Sequence, residues 1–362
     1  MKILFTGGGT AGHVTPNVAL IEKFQQANWD CIYVGSTRGI EREIVAGLNI
    51  PYYAIASGKL RRYFDWKNFV DPIFILWGML QSLLICLQER PGCVFSKGGF
   101  VAVPVVFAAW VCRIPVVCHE SDVTPGLANR LCFPFARRIC LNFEETRRYL
   151  PDGTEAAGKA TVTGTPIRKS LREGSAERGK AFLGISSGET IVLVFGGSLG
   201  AAAINQQVRN AMTSLLNKYV IVHVVGAGNI DESRSSNRRY IQKEFLLDEF
   251  GDVLAAADLV IARAGANTIY ELLAMRKPHI LIPLSARASR GDQLQNARAF
   301  TEAGYSRMIE EENLGDELFF KEIDSVYRGR AGIVSRLEEF EVKDSVSMIN
   351  DMVRGIVRGK LP

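Results

Sequence analysis

The chain has 362 residues, enough for two domains that each bury their own core. A composition of 47% hydrophobic and 22% charged residues excludes a disordered protein. The formal net charge of +5, with no dense Lys/Arg tract, gives no reason to expect nucleic acid but suits phosphate-bearing ligands or an anionic membrane surface.

In chain order, the apolar run Ile3 to Phe5 has the length of a buried strand. Gly7, Gly8, Gly9 and Gly12 follow, with Thr10 and His13 among them, and a helical pattern then runs from Pro16 to Gln26. Strand, glycine turn and helix is the arrangement by which α/β proteins present backbone N–H groups to an anion. The chain enters this strand at once, so no signal peptide is expected. Cys31 to Val34 reads as the second strand, Gly35 to Gly47 as loop then helix, and Pro51 to Ile55 as the third strand. Gly58 to Trp66 is a basic, aromatic loop. It leads into the apolar helix Ile73 to Leu87, which is too short for a membrane span and contains Gln81 and Ser82. That helix either lies buried under the sheet or keeps an apolar face beside Lys59, Arg61, Arg62 and Lys67, as a protein docking on anionic lipid would.

Further strands are expected at Cys93 to Ser96, Pro115 to His119 and Arg138 to Leu141, with a helix over Val103 to Val111, and Thr161 to Gly164 ends the first half. Lys169 to Glu189 is polar and charged and reads as a linker with one helical piece near Lys180 to Leu183. The opening pattern then recurs. Ile191 to Phe195 is a strand, Gly196 to Ala201 a glycine turn, and Ala203 to Leu216 a helix. Strands at Val220 to Val225, Tyr240 to Leu246, Leu259 to Ala262 and Ile280 to Pro283 alternate with helices at Gly251 to Ala257 and Thr268 to Met275. Helices over Asp292 to Ala303 and Ser335 to Ile356 close the chain. Such alternation in both halves predicts an α/β protein with two Rossmann-like, doubly wound parallel-sheet domains facing across a cleft. The expected boundaries are 1–164, rejoined by a C-terminal helix over 342–362, and 165–341. The cysteines form no C-x-x-C pair and all lie in the first 140 residues, which reads as buried thiols of a reducing, cytoplasmic compartment.

The glycine turns are neither G-x-G-x-x-G nor a P-loop, which disfavours nicotinamide and nucleoside-triphosphate chemistry. Ala266, Asn267 and Thr268 open a helix whose N-terminus suits a diphosphate; Glu271, one turn along, either accepts ribose hydroxyls or is an ordinary exposed helix acid. Asp292, Gln293 and Asn296 have the spacing and chemistry to read sugar hydroxyls. His13, at the mouth of the first turn, is a candidate base or transition-state hydrogen-bond donor. His119 ends a buried strand and reads as a satisfied core histidine. Nothing in the chain requires a metal or another cofactor.

The motifs GGGTAGH, FSKGGF, HESDVTPGLANR, TGTPIR, FGGSLGA, RAGANTIYE and SRGDQLQNA, in this order, resemble the MurG-type glycosyltransferases over nearly the whole chain. The resemblance implies the GT-B fold. It also implies metal-independent, inverting transfer of N-acetylglucosamine from UDP-N-acetylglucosamine to the lipid-linked muramyl-pentapeptide lipid I, at the inner face of the cell membrane. The product, lipid II, is a peptidoglycan precursor. The resemblance places Thr10, Ala11 and Gly12 near the donor, Arg168 and Ser198 on its UDP part, and Leu246 near the uracil. Ala266, Asn267, Thr268, Ile269, Tyr270 and Glu271 would hold diphosphate and ribose, and Asp292, Gln293 and Asn296 the sugar. His13 is the first choice of base and Asp122 the second. This chain departs from the family pattern with Asp122 where many members have Asn, with Ala11 in place of a glycine, and with Asp292 where paired glutamines are common. Within the same fold, a diacylglycerol glycolipid synthase and a UDP-N-acetylglucosamine 2-epimerase are alternatives. A non-catalytic sugar-nucleotide-binding protein is a third.

Overall fold

The computed structural model describes residues 1–58, 67–197, 200–285 and 291–359. The chain divides into two compact units, Met1–Arg168 with Lys343–Pro362, and Lys169–Val342. The first contains a seven-stranded sheet of order β3-β2-β1-β4-β5-β6-β7. Its strands are β1 (Lys2–Thr6), β2 (Asp30–Ser36), β3 (Tyr52–Ile55), β4 (Cys93–Ser96), β5 (Val116–Glu120), β6 (Arg138–Leu141) and β7 (Ala160–Val162). The second contains a six-stranded sheet of order β10-β9-β8-β11-β12-β13. These strands are β8 (Ile191–Phe195), β9 (Val220–Val224), β10 (Tyr240–Lys243), β11 (Leu259–Ala262), β12 (His279–Leu281) and β13 (Arg307–Met308). Every pairing in both sheets is parallel. Each sheet reverses its strand order beside its first strand, between β1 and β4 and between β8 and β11.

Parallel sheets carry helices on both faces, so their strands are continuously apolar rather than alternating. In β1, Leu4 packs into one core and Ile3 and Phe5 into the opposite one, as the two-residue period of a strand demands. The helix Ser345–Val357 supplies Ile349, Val353 and Ile356 to the second of these cores, although it follows the whole second unit in sequence. Asp344 caps that helix by accepting from Ser347 N–H at 3.4 Å, and the Ser345 hydroxyl donates to the Thr163 carbonyl at 2.6 Å.

Some expected elements are redrawn. The helix expected over Ser335 to Ile356 is two, Arg330–Glu338 and Ser345–Val357, because the chain passes between the units there. Ala203 to Leu216 is likewise divided into Ala202–Asn210 and Met212–Leu216. Lys169 to Glu189 is no free linker. Its helix Ala176–Leu183 is tied to the second unit by Arg178, which pairs with Asp252 at 2.7 Å, and by Ser175 N–H donating to the same carboxylate at 2.7 Å. The helix Asp316–Arg328 has no counterpart among the expected elements; it buries Phe319, Ile323 and Val326 against the second sheet. Six of the cysteines are buried and Cys112 is half-buried, all as free thiols.

Two histidines of the second unit are buried and neutral. Burial holds His223 down to about 3 and His279 down to about 4. The unfolded chain therefore binds protons that the folded unit refuses once pH drops below about 6.5, and stability falls as pH falls through that window. The thermal midpoint of the second unit should decrease between pH 7 and pH 5, and less steeply in a His223→Gln/His279→Gln double variant. Equal slopes in parent and variant would contradict this assignment.

Candidate functional site

In the first unit, β1 and β4 end in glycine turns that interlock. Gly99 has φ +84°, and a Cβ there would collide with the Gly8 carbonyl, so only glycine fits. The Lys97 N–H donates to the Thr6 carbonyl at 2.9 Å, which joins the two strand ends at the switch point of the sheet. His13 ends the short turn of helix Ala11–His13, with its N–H on the Thr10 carbonyl and its Nδ1 3.1 Å from Thr10 Oγ1. Of the chain's four histidines, His13 alone is not buried, so it alone meets the requirement that a base reach substrate.

Beneath these turns lies a buried ionic cluster that sequence reasoning missed in part. Lys97 is 1% exposed; its Nζ lies 2.7 Å from His119 Nδ1 and also bonds Ser121 Oγ. His119 Nε2 is 3.0 Å from the Gly164 carbonyl. A carbonyl only accepts, so the hydrogen-bond pattern assigns the hydrogen to Nε2 and leaves Nδ1 to accept from Lys97. Burial holds His119 well below the usual imidazole value, and the Lys97 charge adds to this. Burial pushes Lys97 down to about 7, against the pull of Glu120 and Asp122. Burial and Asp122 push Glu120 up to about 7. Glu120 accepts from the N–H groups of Asp122 (2.9 Å) and Gly126 (3.1 Å) and from Asn129 Nδ2 (2.9 Å). These bonds pin the loop that carries Asp122, whose carbonyl also accepts from Thr146 Oγ1 at 3.2 Å. The signal for Lys97 is a lone lysine at the end of an apolar strand, but its partners come from the end of β5 and the residue after it, which sequence proximity does not show.

In the second unit, Gly265 precedes the helix Ala266–Ala274 at the end of β11. Asn267, Thr268 and Glu271 are half-buried, whereas Ile269 and Tyr270 face the core, with the Tyr270 ring against Phe340 at 5.8 Å. Asp292 and Gln293 open the helix Asp292–Glu302, and Gln293 Oε1 accepts from Leu284 N–H at 3.0 Å. Asn296 is fully buried, with Nδ2 3.4 Å from the Ala264 carbonyl, so it braces the glycine turn from below. Arg263, also missed, is 8% exposed; it donates to the carbonyls of Ile282 (3.2 Å) and Pro283 (3.4 Å) and pairs with Glu311. It holds the ends of β11 and β12 together. Leu246 lies beyond the end of β10, which stops at Lys243, and Arg168 is half-buried at the end of the first unit's chain. Ser198 and the side chain of Ala11 lie outside the described residues.

Replacing Glu120 with Gln sets an amide NH2 against at least one of three donors. A loss of about 1–3 kcal/mol is expected at pH 6, where the folded state holds the Glu120 proton, and a smaller loss at pH 8, because a carboxyl raised to about 7 on folding contributes stability that is lost as pH rises through that value. Urea titrations at the two pH values measure the difference.

Models of the glycosyltransferase family 28 N-terminal domain and C-terminal domain match residues 3–141 and 191–346. The chain is 48% identical over 353 residues to the UDP-N-acetylglucosamine--N-acetylmuramyl-(pentapeptide) pyrophosphoryl-undecaprenol N-acetylglucosamine transferase of Clostridium perfringens (strain SM101 / Type A), covering 98% of each chain. It is 46% identical to the protein of the same name from Clostridium novyi (strain NT), covering 97% of this chain and 98% of that one. Among solved structures it resembles MurG of Acinetobacter baumannii, with TM-score 0.76, 22% identity and coverage of 98% and 99%. It also resembles a putative UDP-N-acetylglucosamine 2-epimerase from Listeria monocytogenes, with TM-score 0.72, 12% identity and coverage of 99% and 97%. At these identities the structural likenesses speak for the fold alone.

Proposed function

The chain belongs to glycosyltransferase family 28, and from that premise we propose that it transfers N-acetylglucosamine from UDP-N-acetylglucosamine to lipid I, with inversion, giving lipid II for peptidoglycan synthesis. The observation that carries this reading is 48% identity to the clostridial transferase over 98% of both chains. The epimerase shares the fold at 12% identity and has no comparable claim.

On this reading the second unit holds the donor. The N-terminus of helix Ala266–Ala274 receives the diphosphate, Glu271 the ribose hydroxyls and Leu246 the uracil side. Gln293 reads the sugar through its NH2 group, because its carbonyl oxygen is engaged by Leu284, and Asp292 acts beside it. The first unit serves the acceptor. The muramyl hydroxyl attacks the anomeric carbon as UDP leaves from the opposite face. Charge grows on the departing phosphate, where helix N–H groups and Arg168 stabilise it. His13 takes the hydroxyl proton. For Nε2 to act as the base, Nδ1–H must donate to Thr10 Oγ1, so Thr10 sets the working tautomer. Asp122 is the second candidate base.

A lipid acceptor requires work at a membrane. Among the described residues no helix is long and apolar enough to cross one. The helix Lys67–Glu89 is two-sided instead. Leu83, Ile85 and Cys86 pack on the sheet, and Gln81 Oε1 accepts from Ala56 N–H at 2.7 Å. On its other side Leu76 is 66%, Trp77 54%, Leu80 45% and Leu84 57% exposed. Trp110 of the neighbouring helix Ala102–Val111 is 51% exposed. This stripe is assigned as the surface that docks the protein on the inner face of the cell membrane. The basic loop Lys59 to Trp66 expected beside it lies outside the described residues.

Supplying UDP-N-acetylglucosamine with lipid I in vesicles should yield lipid II by mass, and no product with diacylglycerol. Failure to glycosylate lipid I defeats the proposal. His13→Ala should lower kcat by about 10²–10⁴-fold, and Thr10→Val should lower it less, with UDP binding unchanged in both. Leu76→Ser/Leu80→Ser should reduce partitioning onto anionic vesicles while sparing UDP binding; unchanged partitioning removes the stripe from membrane docking.

A further inference from the structure

The first glycine turn is built around a carboxylate. Glu41, from the helix Ile40–Ala46, is completely buried. Its Oε2 accepts from Gly9 N–H at 3.3 Å. Its Oε1 accepts from Ser36 N–H at 2.9 Å and from the Ser36 hydroxyl at 2.5 Å. A Cβ on Gly8 would lie 2.6 Å from Oε1, so the turn closes directly onto the carboxylate. Two tyrosines complete the mount. Tyr33 donates to the Gly7 carbonyl at 2.8 Å and Tyr52 to the Ser36 carbonyl at 2.7 Å, with their rings stacked at 5.9 Å and 7°.

This arrangement runs against the ordinary use of such a turn. The Gly9 N–H, which a phosphate would take, is already bonded to a carboxylate, and the buried negative charge repels a second anion placed above it. The same turn determines where His13 stands. The His13 carbonyl is 2.7 Å from the position of a Cβ on Gly7, and the His13 N–H closes on Thr10. A displaced turn therefore displaces His13.

We propose that Glu41 is a positioning residue that converts the Gly7–Gly9 turn from an anion cradle into a fixed mount for Thr10 and His13, so that the diphosphate of the acceptor is bound by other groups. This inference rests on the reading of the chain as a lipid-linked transferase. Glu41→Gln keeps the shape but removes the charge and turns one acceptor into a donor. It should lower kcat by at least about tenfold, leave KM for UDP-N-acetylglucosamine within about twofold, and let inorganic pyrophosphate compete with the lipid acceptor where the parent resists it. Glu41→Asp, which keeps the charge but is one methylene shorter, should lose rate while still excluding pyrophosphate; it also serves if the Gln variant does not fold. A Glu41→Gln kcat within about twofold of the parent, or pyrophosphate inhibition unchanged from the parent, overturns the proposal. Absence of transfer by the parent chain overturns the proposed function instead.

Discussion

Each sheet is covered on both faces, and that constraint organises the rest of the molecule. Ile3, Leu4 and Phe5 are all fully buried although they point to opposite sides, so both faces of the first sheet are apolar. Chemistry is left to the carboxyl ends of the strands, where the chain turns and backbone groups are released from the ladder. The polar residues gathered there have their main donors and acceptors supplied from within the unit. Glu41 receives three donors, Glu120 three more, and Lys97 bonds two side chains. A buried charge left unpartnered would cost several kcal/mol, on the order of the stability of the whole domain.

The two rims solve this problem differently. The first unit carries ionisable groups under its turns, with Lys97 and Glu120 both drawn toward about 7. The second is braced by neutral and cationic donors. His223 bridges Asn205 and Tyr240, Asn296 supports the turn after β11, and Arg263 caps the carbonyls at the ends of two strands. A rim that offers donors suits the sugar nucleotide assigned to it. A rim with carboxylates close beneath the glycines suits handling a proton.

Much of the fold is legible in the residues, because strand–glycine–helix units announce themselves. Cys93–Ser96, Arg138–Leu141, Ile191–Phe195 and Leu259–Ala262 have the bounds that their apolar runs imply. The break between Arg330–Glu338 and Ser345–Val357 is harder to see. Its mark is the Asp344 cap, a single residue within a continuous helical pattern. Among the candidate site residues, Asn296, Ile269 and Tyr270 have the right spacing on their helices but point into the protein, since spacing names a face and not what lies against it. Glu41 and Lys97 went unnoticed for the complementary reason: each looks like a surface charge until residues far away in sequence close around it.

The placement of Ser345–Val357 in the first unit's core has a consequence for biosynthesis. Strands β1 to β7 are synthesised before the second unit, yet the part of the apolar surface around Ile3, Phe5 and Phe24 that Ser345–Val357 covers stays open until that helix has been translated. The second unit, continuous from Lys169 to Val342, is complete before then and can fold while the first still waits. Order of synthesis and order of completion are thus reversed. A chain truncated shortly before Ile349 would have every strand of both sheets and still leave part of one face of the first sheet open to chaperones and proteases.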